Sequence, residues 1–333
     1  MTRSTLTLVE AEELVCAALT RSRTSAENAR SVARALVEAE AIGQEGHGLR
    51  RVPTYAAQAA SGKIDGHAVV TLSHPAPAVL AIDAGHGFAY PALDRATAEL
   101  PELARSQGIA LAAIRRSHHC GALGLVVEKL AQTGLVSLAF TNTPGAIAPW
   151  GGRRALFGTN PIAFAAPVPD EEPIVVDLSL SKVARGKIMA AKQRGEPIPD
   201  DWAYDREGRP TTDPAAGLAG TMAPLGDAKG TALALMVELL AAGLVGANYA
   251  YEAASFFEAE GPAPSVGQLL IAIDPVRVGG EATLARFAEL ASAVENDEAR
   301  LPGRRRQGLR RRAQTDGISI DTGVIATIEA VGR

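Results

Sequence analysis

The sequence is poor in the residues that cross-link, stack or bind metals. It has two cysteines in 333 residues, Cys16 and Cys120, too few for a disulfide framework and without a CxxC pair. Aromatic residues make up 4%, so apolar packing must rest on Ala, Val, Leu and Ile. No run of eighteen apolar residues occurs, and the best candidate, 231–245, is broken by Glu238. Glu10 interrupts the start early enough that no signal-peptide h-region is expected. These absences predict a soluble cytoplasmic protein with no membrane partner. Nucleotide fingerprints are missing too: neither GxGxxG after a strand nor GxxxxGK[ST] occurs, which removes support for a standard Rossmann or P-loop site. Charge of one sign is not in excess. With 33 Lys+Arg and 37 Asp+Glu the net charge is 33 − 37 = −4, so no global attraction to nucleic acid is expected.

What remains is globular: 47% hydrophobic and 21% charged residues, with length for one large domain or two. The basic residues are mostly arginine, with six Lys among the 33. Seven arginines (300, 304, 305, 306, 310, 311 and 312) crowd into thirteen positions, either as a solvated surface turn or as an anion site. The six histidines, His47, His67, His74, His86, His118 and His119, all fall in 47–119.

Segments along the chain alternate between helix-like and strand-like. Residues 8–38 read as two helices, the second opened by Ser25 with Val32, Ala35, Leu36 and Ala39 at helical spacing. A third helix is expected over 49–60, ending at Ser61-Gly62. Strands are expected at 79–83, 108–114, 135–140, 162–166, 174–178 and 269–273. Helices are expected at 91–106, 122–132, 229–245 and 281–295, the last followed by the Arg-rich turn. The stretch 195–208 reads as an irregular excursion with tight turns. This order predicts an α/β class. The expected division is a mainly helical part, 1–75 plus 285–333, and an α/β cofactor-binding and catalytic part, 76–284.

Five constellations can carry chemistry. Gly46-His47-Gly48 offers an uncrowded imidazole, whose ordinary pKa suits proton transfer near neutrality. If a helix starts nearby, Arg51 and Tyr55 fall at i and i+4 and can hold a carboxylate; a solvated surface pair would look the same. Ser117-His118-His119-Cys120-Gly121-Ala122-Leu123 sits at the end of an expected strand, where α/β proteins place ligands. At most one of the two histidines can enter a given pocket, and no metal spacing accompanies them. Gly151-Gly152 and Phe157-Gly158-Thr159-Asn160-Pro161 permit close backbone approach, or simply a tight connection. Asp177-Leu178-Ser179 through Arg185-Gly186-Lys187 puts hydroxyls and cations after a buried strand, a place for phosphate or ribose. Lys229-Gly230 either meets a cofactor or merely starts a helix.

Taken in order, His47-Gly48, Ser117-His118-His119, Phe157 to Pro161, Asp177 to Lys187, Thr211 to Pro214, Lys229-Gly230 and Arg300 to Gly303 resemble the second type of malate/L-lactate dehydrogenase family. It is also called the sulfolactate dehydrogenase-like family. It includes ureidoglycolate dehydrogenase and the Δ1-piperideine-2-carboxylate/Δ1-pyrroline-2-carboxylate reductases. The resemblance spans nearly the whole chain. It implies a non-Rossmann mixed sheet with flanking helices and a helical N-terminal part, a homodimer, and NAD or NADP as cofactor with a slight lean to NADP. It implies catalytic roles for His47, as proton donor, and His119. Arg51 would clamp the substrate carboxylate, with Tyr55, Thr159, Arg185 and Gly186 around it. Cofactor contacts would come from His119, Cys120, Gly121, Ala122, Leu123, Asp177, Leu178, Ser179, Lys229, Arg300, Gly303, Arg304 and Arg306. No metal and no nucleic acid is expected, only a small carboxylate substrate.

Two departures set the substrate expectation. The cyclic-ketimine reductases of the family carry a Ser before the donor His and an Asp after a His-Gly pair. This chain has Gly46 and Lys187 there, and its Ala184-Arg185-Gly186-Lys187 looks like the 2-hydroxyacid members. The expected reaction is hydride transfer between a nicotinamide and C2 of a 2-hydroxy/2-oxo acid of the malate, lactate or sulfolactate type. The alternative is reduction of a cyclic ketimine to L-proline or L-pipecolate.

Overall fold

The computed structural model describes residues 2–333. A short strand β1 (Arg3–Leu6) leads into helices α1 (Leu8–Arg21) and α2 (Ala26–Ala41). Thr7 and Glu10 cap α1 reciprocally, side chain to backbone in both directions. Ser25 caps α2 by accepting from Asn28 N. Two 3-10 turns, Glu45–His47 and Leu49–Arg51, feed α3 (Val52–Ser61), which Gly62 ends in the left-handed region. Then come β2 (Thr71–Ala76), β3 (Val79–Asp83), α4 (Ala89–Gln107), β4 (Ile109–Ser117), α5 (Leu123–Gln132), β5 (Val136–Thr141), β6 (Ile162–Ala166) and β7 (Ile174–Leu178). The chain continues through α6 (Arg185–Arg194), β8 (Ala203–Tyr204), α7 (Pro214–Ala219), β9 (Thr221–Met222) and α8 (Ala228–Glu238), which runs on into a π-turn, Leu239–Gly243. It ends with β10 (Val266–Ile273), α9 (Pro275–Gly279), α10 (Thr283–Asn296), α11 (Arg304–Asp316), β11 (Ile318–Asp321) and α12 (Thr322–Ala330).

Seven strands form one sheet in the order β2-β3-β4-β10-β5-β6-β7. Only β3 and β4 run parallel, and the other neighbours are antiparallel. The sheet is therefore mixed, and its one parallel βαβ unit, β3-α4-β4, carries Gly85-His86-Gly87 without the third glycine of the dinucleotide fingerprint. The late strand β10 occupies the centre because it is apolar on both faces. Alternation along β4, β10 and β5 assigns those faces. Ala110, Ala112, Ile114, Leu270, Ala272 and Ala139 join the large core with α1–α5. Leu111, Ala113, Leu138, Phe140, Leu269 and Ile271 pack against Ala234, Val237 and Ala241 of α8 and its π-turn. Helices thus cover both faces. The first core cluster is rich in alanine, with Tyr55 and Phe88 its largest fully buried side chains.

The pairing of β1 with β11 and the packing of α12 on α1 draw the two ends of the chain together. The same core cluster continues from these helices into the sheet. The expected helices and strands are present, with ends shifted by a few residues. The Arg-rich stretch differs: it is not a turn but mostly helix, α11. Its buried positions are Gln307 and Ala313, so no large apolar stripe marks it. Four of its six arginines are paired: Arg310 with Glu128 (2.7 Å) and Glu172 (3.1 Å), Arg304 with Glu171 and Glu295, Arg306 with Asp177 and Arg311 with Glu172. β2, the β1/β11 and β8/β9 pairs and helices α7, α9 and α12 were not anticipated either.

Candidate active site

The 3-10 turns between α2 and α3 place His47. Glu40 of α2 accepts from Leu49 N (2.9 Å), and its carboxylate fills the space beside Gly48. A Cβ at Gly48 would come within 2.1 Å of Glu40 Oε2, so any larger residue would push the carboxylate away from Leu49 N. Burial raises the Glu40 carboxyl above the usual range, with the Leu49 bond opposing. Arg51 follows as the N-cap of α3, its Nε donating to Gly46 O (2.9 Å). Its guanidinium lies 4.7 Å over the Phe257 ring and has no carboxylate partner among the described residues.

The end of β4 supplies the second histidine. The His47 and His119 rings stack with centroids 5.2 Å apart, inclined by 16°. Tyr55, one turn into α3, meets His119 Nδ1 at 2.5 Å and Tyr90 Oη at 3.2 Å. Burial pushes the Tyr55 phenol up to about 12, so it stays protonated and keeps a hydroxyl for the hydrogen bonds to Nδ1 and Tyr90. His118 points elsewhere, into Tyr55, Phe88 and Phe256, with both ring nitrogens unpartnered. Burial, then the Arg51 charge, hold His47 down to about 4 and His119 well below its ordinary value. Both rings are neutral at pH 7.

These residues line a cavity of about 1250 Å³. His47, Arg51, His119, Cys120, Gly121, Ala122, Leu123, Thr159, Asp177, Ser179, Arg185, Gly186 and Arg306 all reach it. Tyr55 stands behind it, acting on His119. Leu178 is turned away, since alternate residues of a strand end face opposite sides and Asp177 and Ser179 face the cavity. Lys229, Arg300, Gly303 and Arg304 are not brought to the cavity within one chain. Gly303 instead opens α11 at φ +93° against Val175 of β7. The expectation of several free arginines here narrows to Arg306, itself paired with Asp177 at 2.9 Å. Lys187, which stands where the ketimine reductases carry an Asp, does not line the cavity and sits 6.0 Å over Trp202. Arg185 is the cation that lines the cavity: half-buried, lowered by burial, and bonded only to Leu218 O (3.3 Å).

Sequence reasoning missed several contributors. Gln44 joins the Asp177–Arg306 pair through its side-chain amide. Phe256 packs on His119 with centroids 5.2 Å apart. Gln268 of the central strand donates to His118 O (3.2 Å) and to Thr141 Oγ1 (3.3 Å), tying together the ends of β4 and β5. Glu238, 2% exposed, accepts from Gly158 N, Asn160 Nδ2, Asn142 Nδ2 and Ala250 N. Polar residues inside apolar runs, Gln268 and Glu238, were the available signal.

The cavity has the chemistry a dinucleotide needs. The N-termini of α5 and α6 open on it, and neither is capped by a side chain. Their free N–H groups suit phosphate or carboxylate oxygens. Ser179 and Ser181 add hydroxyls beside them. Among its lining residues, Asp177 is neutralised by Arg306, and Arg51, Arg154 and Arg185, which have no carboxylate partner, outnumber the remaining carboxylate, Glu258, so the cavity favours anions.

Comparison with known proteins gives the same direction. A family model described as malate/L-lactate dehydrogenase matches residues 6–329. The chain is 53% identical over 309 residues to (2R)-3-sulfolactate dehydrogenase (NADP(+)) of Chromohalobacter salexigens, covering 92% of each. It is 42% identical over 318 residues to the Δ1-pyrroline-2-carboxylate/Δ1-piperideine-2-carboxylate reductase of Pseudomonas aeruginosa, covering 95% of each. The crystal structure of Δ1-piperideine-2-carboxylate reductase from Pseudomonas syringae pv. tomato superposes with a TM-score of 0.93 at 40% identity, covering 98% of this chain and 99% of that one.

Proposed function

The chain belongs to the malate/L-lactate dehydrogenase family and is an NAD(P)-dependent oxidoreductase, and we propose that it acts at C2 of a small 2-hydroxy/2-oxo acid of the malate, lactate or sulfolactate type. One observation carries this reading: Arg51 and Arg185, two of the three cavity cations without carboxylate partners (Arg154 is the third), line the same cavity as the stacked His47–His119 pair. A carboxylate at C1 suits Arg51, and a second acidic group at C3 suits Arg185. When bound, the nicotinamide supplies or takes up the hydride at C2.

The residues divide the remaining work. Arg51 fixes the carboxylate and so the face of C2 that is presented. His47 exchanges the proton of the C2 oxygen; its Nδ1 is buried without a partner, leaving Nε2 for the substrate. His119, held by Tyr55 through Nδ1, lines the same cavity and is the second imidazole available to the substrate. Neutral His47 is ready to accept a proton from a 2-hydroxy acid. An anion between Arg51 and Arg185 offsets the positive field on the ring and favours the protonated form needed for reduction. The cofactor is NAD or NADP, with the lean to NADP resting on the sulfolactate relative. His119 to Leu123, Asp177, Ser179 and Arg306 are the proposed cofactor contacts.

The second reading is a cyclic ketimine reductase. The P. aeruginosa relative supports it, as do the apolar lining residues Met189, Phe256 and Phe257. A cofactor-by-substrate panel read at 340 nm separates the two. The first reading expects 3-sulfopyruvate or oxaloacetate to be reduced far faster than pyrroline-2-carboxylate. It also expects Arg185→Ala to raise KM for these dianions about tenfold, with little change for pyruvate. Faster reduction of the cyclic imine would sink the first reading. We further place the protein in the cytoplasm as a homodimer.

A further inference from the structure

Lys63 is a buried cation with no salt bridge, and only the field of the Glu258 carboxylate offsets its burial from the side of charge. It is 3% exposed, and its ammonium donates to three backbone carbonyls: Ser255 (2.7 Å), Glu258 (2.9 Å) and Glu260 (3.2 Å). No salt bridge accompanies them, and burial lowers the ammonium's pKa, so the caging oxygens must do the stabilising. The same short stretch of chain supplies two more donors to this loop. Gln58 Nε2 donates to Phe256 O (3.2 Å) and Glu258 O (2.9 Å), and Ser61 Oγ to Ala259 O (2.7 Å). The loop 255–260 has no regular secondary structure of its own.

This loop covers the site. Phe256 packs against His118 and His119, with ring centroids 5.0 and 5.2 Å away. Phe257 lies under the Arg51 guanidinium at 4.7 Å. Helix α3 therefore closes a circuit: Arg51 and Tyr55 on its first turns form the site, and its last turn with Lys63 anchors the loop that packs on Arg51 and His119.

We propose that Lys63 is a positioning residue, whose carbonyl-caged ammonium holds Phe256 and Phe257 against His119 and Arg51 and so sets the substrate's carboxylate clamp. The inference rests on the 2-oxo-acid reading of the site. Removing the ammonium frees the loop and lets Arg51 sample other directions, which weakens substrate binding and leaves the cofactor's own contacts in place.

The test is calorimetric binding of 3-sulfopyruvate to protein loaded with oxidised NADP, where no turnover occurs. Lys63→Met is expected to raise the 3-sulfopyruvate Kd about tenfold and leave the NADP Kd unchanged, the loss of roughly one charge-assisted hydrogen bond. Lys63→Ala is expected to regain wild-type 3-sulfopyruvate binding when ammonium ions are added to fill the cage. Phe257→Ala, a change at a residue 47% exposed, is expected to give the same loss without threatening the fold. An unchanged 3-sulfopyruvate Kd in folded Lys63→Met or in Phe257→Ala overturns the inference. So does ammonium that raises the Tm of Lys63→Ala without restoring 3-sulfopyruvate binding, the mark of a purely structural role. No 3-sulfopyruvate binding by the wild type sinks the functional reading itself, whereas wild-type binding that Lys63→Met matches sinks only the role of Lys63.

Discussion

His47 has one ring nitrogen buried without a partner, and the guanidiniums of Arg51 and Arg306 add to burial in holding the ring down to about 4. Asp177 opposes them but is itself paired with Arg306. The sign of the consequence follows. A lowered pKa means the protonated form exists only below about pH 4 in the free site, and the neutral base everywhere above it. In the oxidative direction kcat/KM should therefore stay level from neutrality down to about pH 5 and fall only near pH 4. In the reductive direction it should fall about tenfold per pH unit through neutrality, because the free site must first bind a proton. A reductive kcat/KM that is flat from pH 5 to pH 8 would remove the neutral resting state. His47→Ala should cost turnover in both directions, with roughly a hundredfold loss expected for a proton-transfer group.

Several elements meet at Glu238, the last residue of α8. Its two carboxylate oxygens accept from Gly158 and Asn160 on one side and from Asn142 and Ala250 on the other. Burial raises this carboxyl, and the four N–H donors pull it back toward the ionised form. The loops it gathers, after β5, before β6 and before β10, form one wall of the cavity. Glu238→Ala should cost about 3 kcal/mol in a urea titration, because several buried donors lose their acceptor together. A loss below about 1 kcal/mol would show that the loops hold without it. In the sequence this residue reads only as the break in an apolar run. The helices and strands on either side were legible because their apolar spacing is local. Helix α11 was not, because its arginines are held by Glu128, Glu171 and Glu172 from distant segments.

The outer face of α8 and its π-turn is apolar, with Leu233, Leu235, Met236, Leu239 and Leu244 exposed, Leu239 by 54% and Leu244 by 65%. A helix apolar all round asks for a second cover, and this supports the proposed homodimer. Sedimentation should give a dimer for the wild type and a monomer for Leu239→Glu; a wild-type monomer at micromolar concentration would remove the proposal. No helix among the described residues is long and apolar enough to cross a membrane. By itself, the sequence determined the alternation of helix and strand, the α/β class and the order of the chemical motifs, because each depends on spacing within a few turns or on residues adjacent in the chain. The tertiary structure alone decided that β10 divides β4 from β5, that Arg185 rather than Lys187 reaches the cavity, that the Arg-rich segment is largely neutralised, and that Lys63 and Glu238 fasten the loops. Each of these is set by partners far away in the chain, and the cost of burying a charge or a polar group falls due only when the fold brings those partners together.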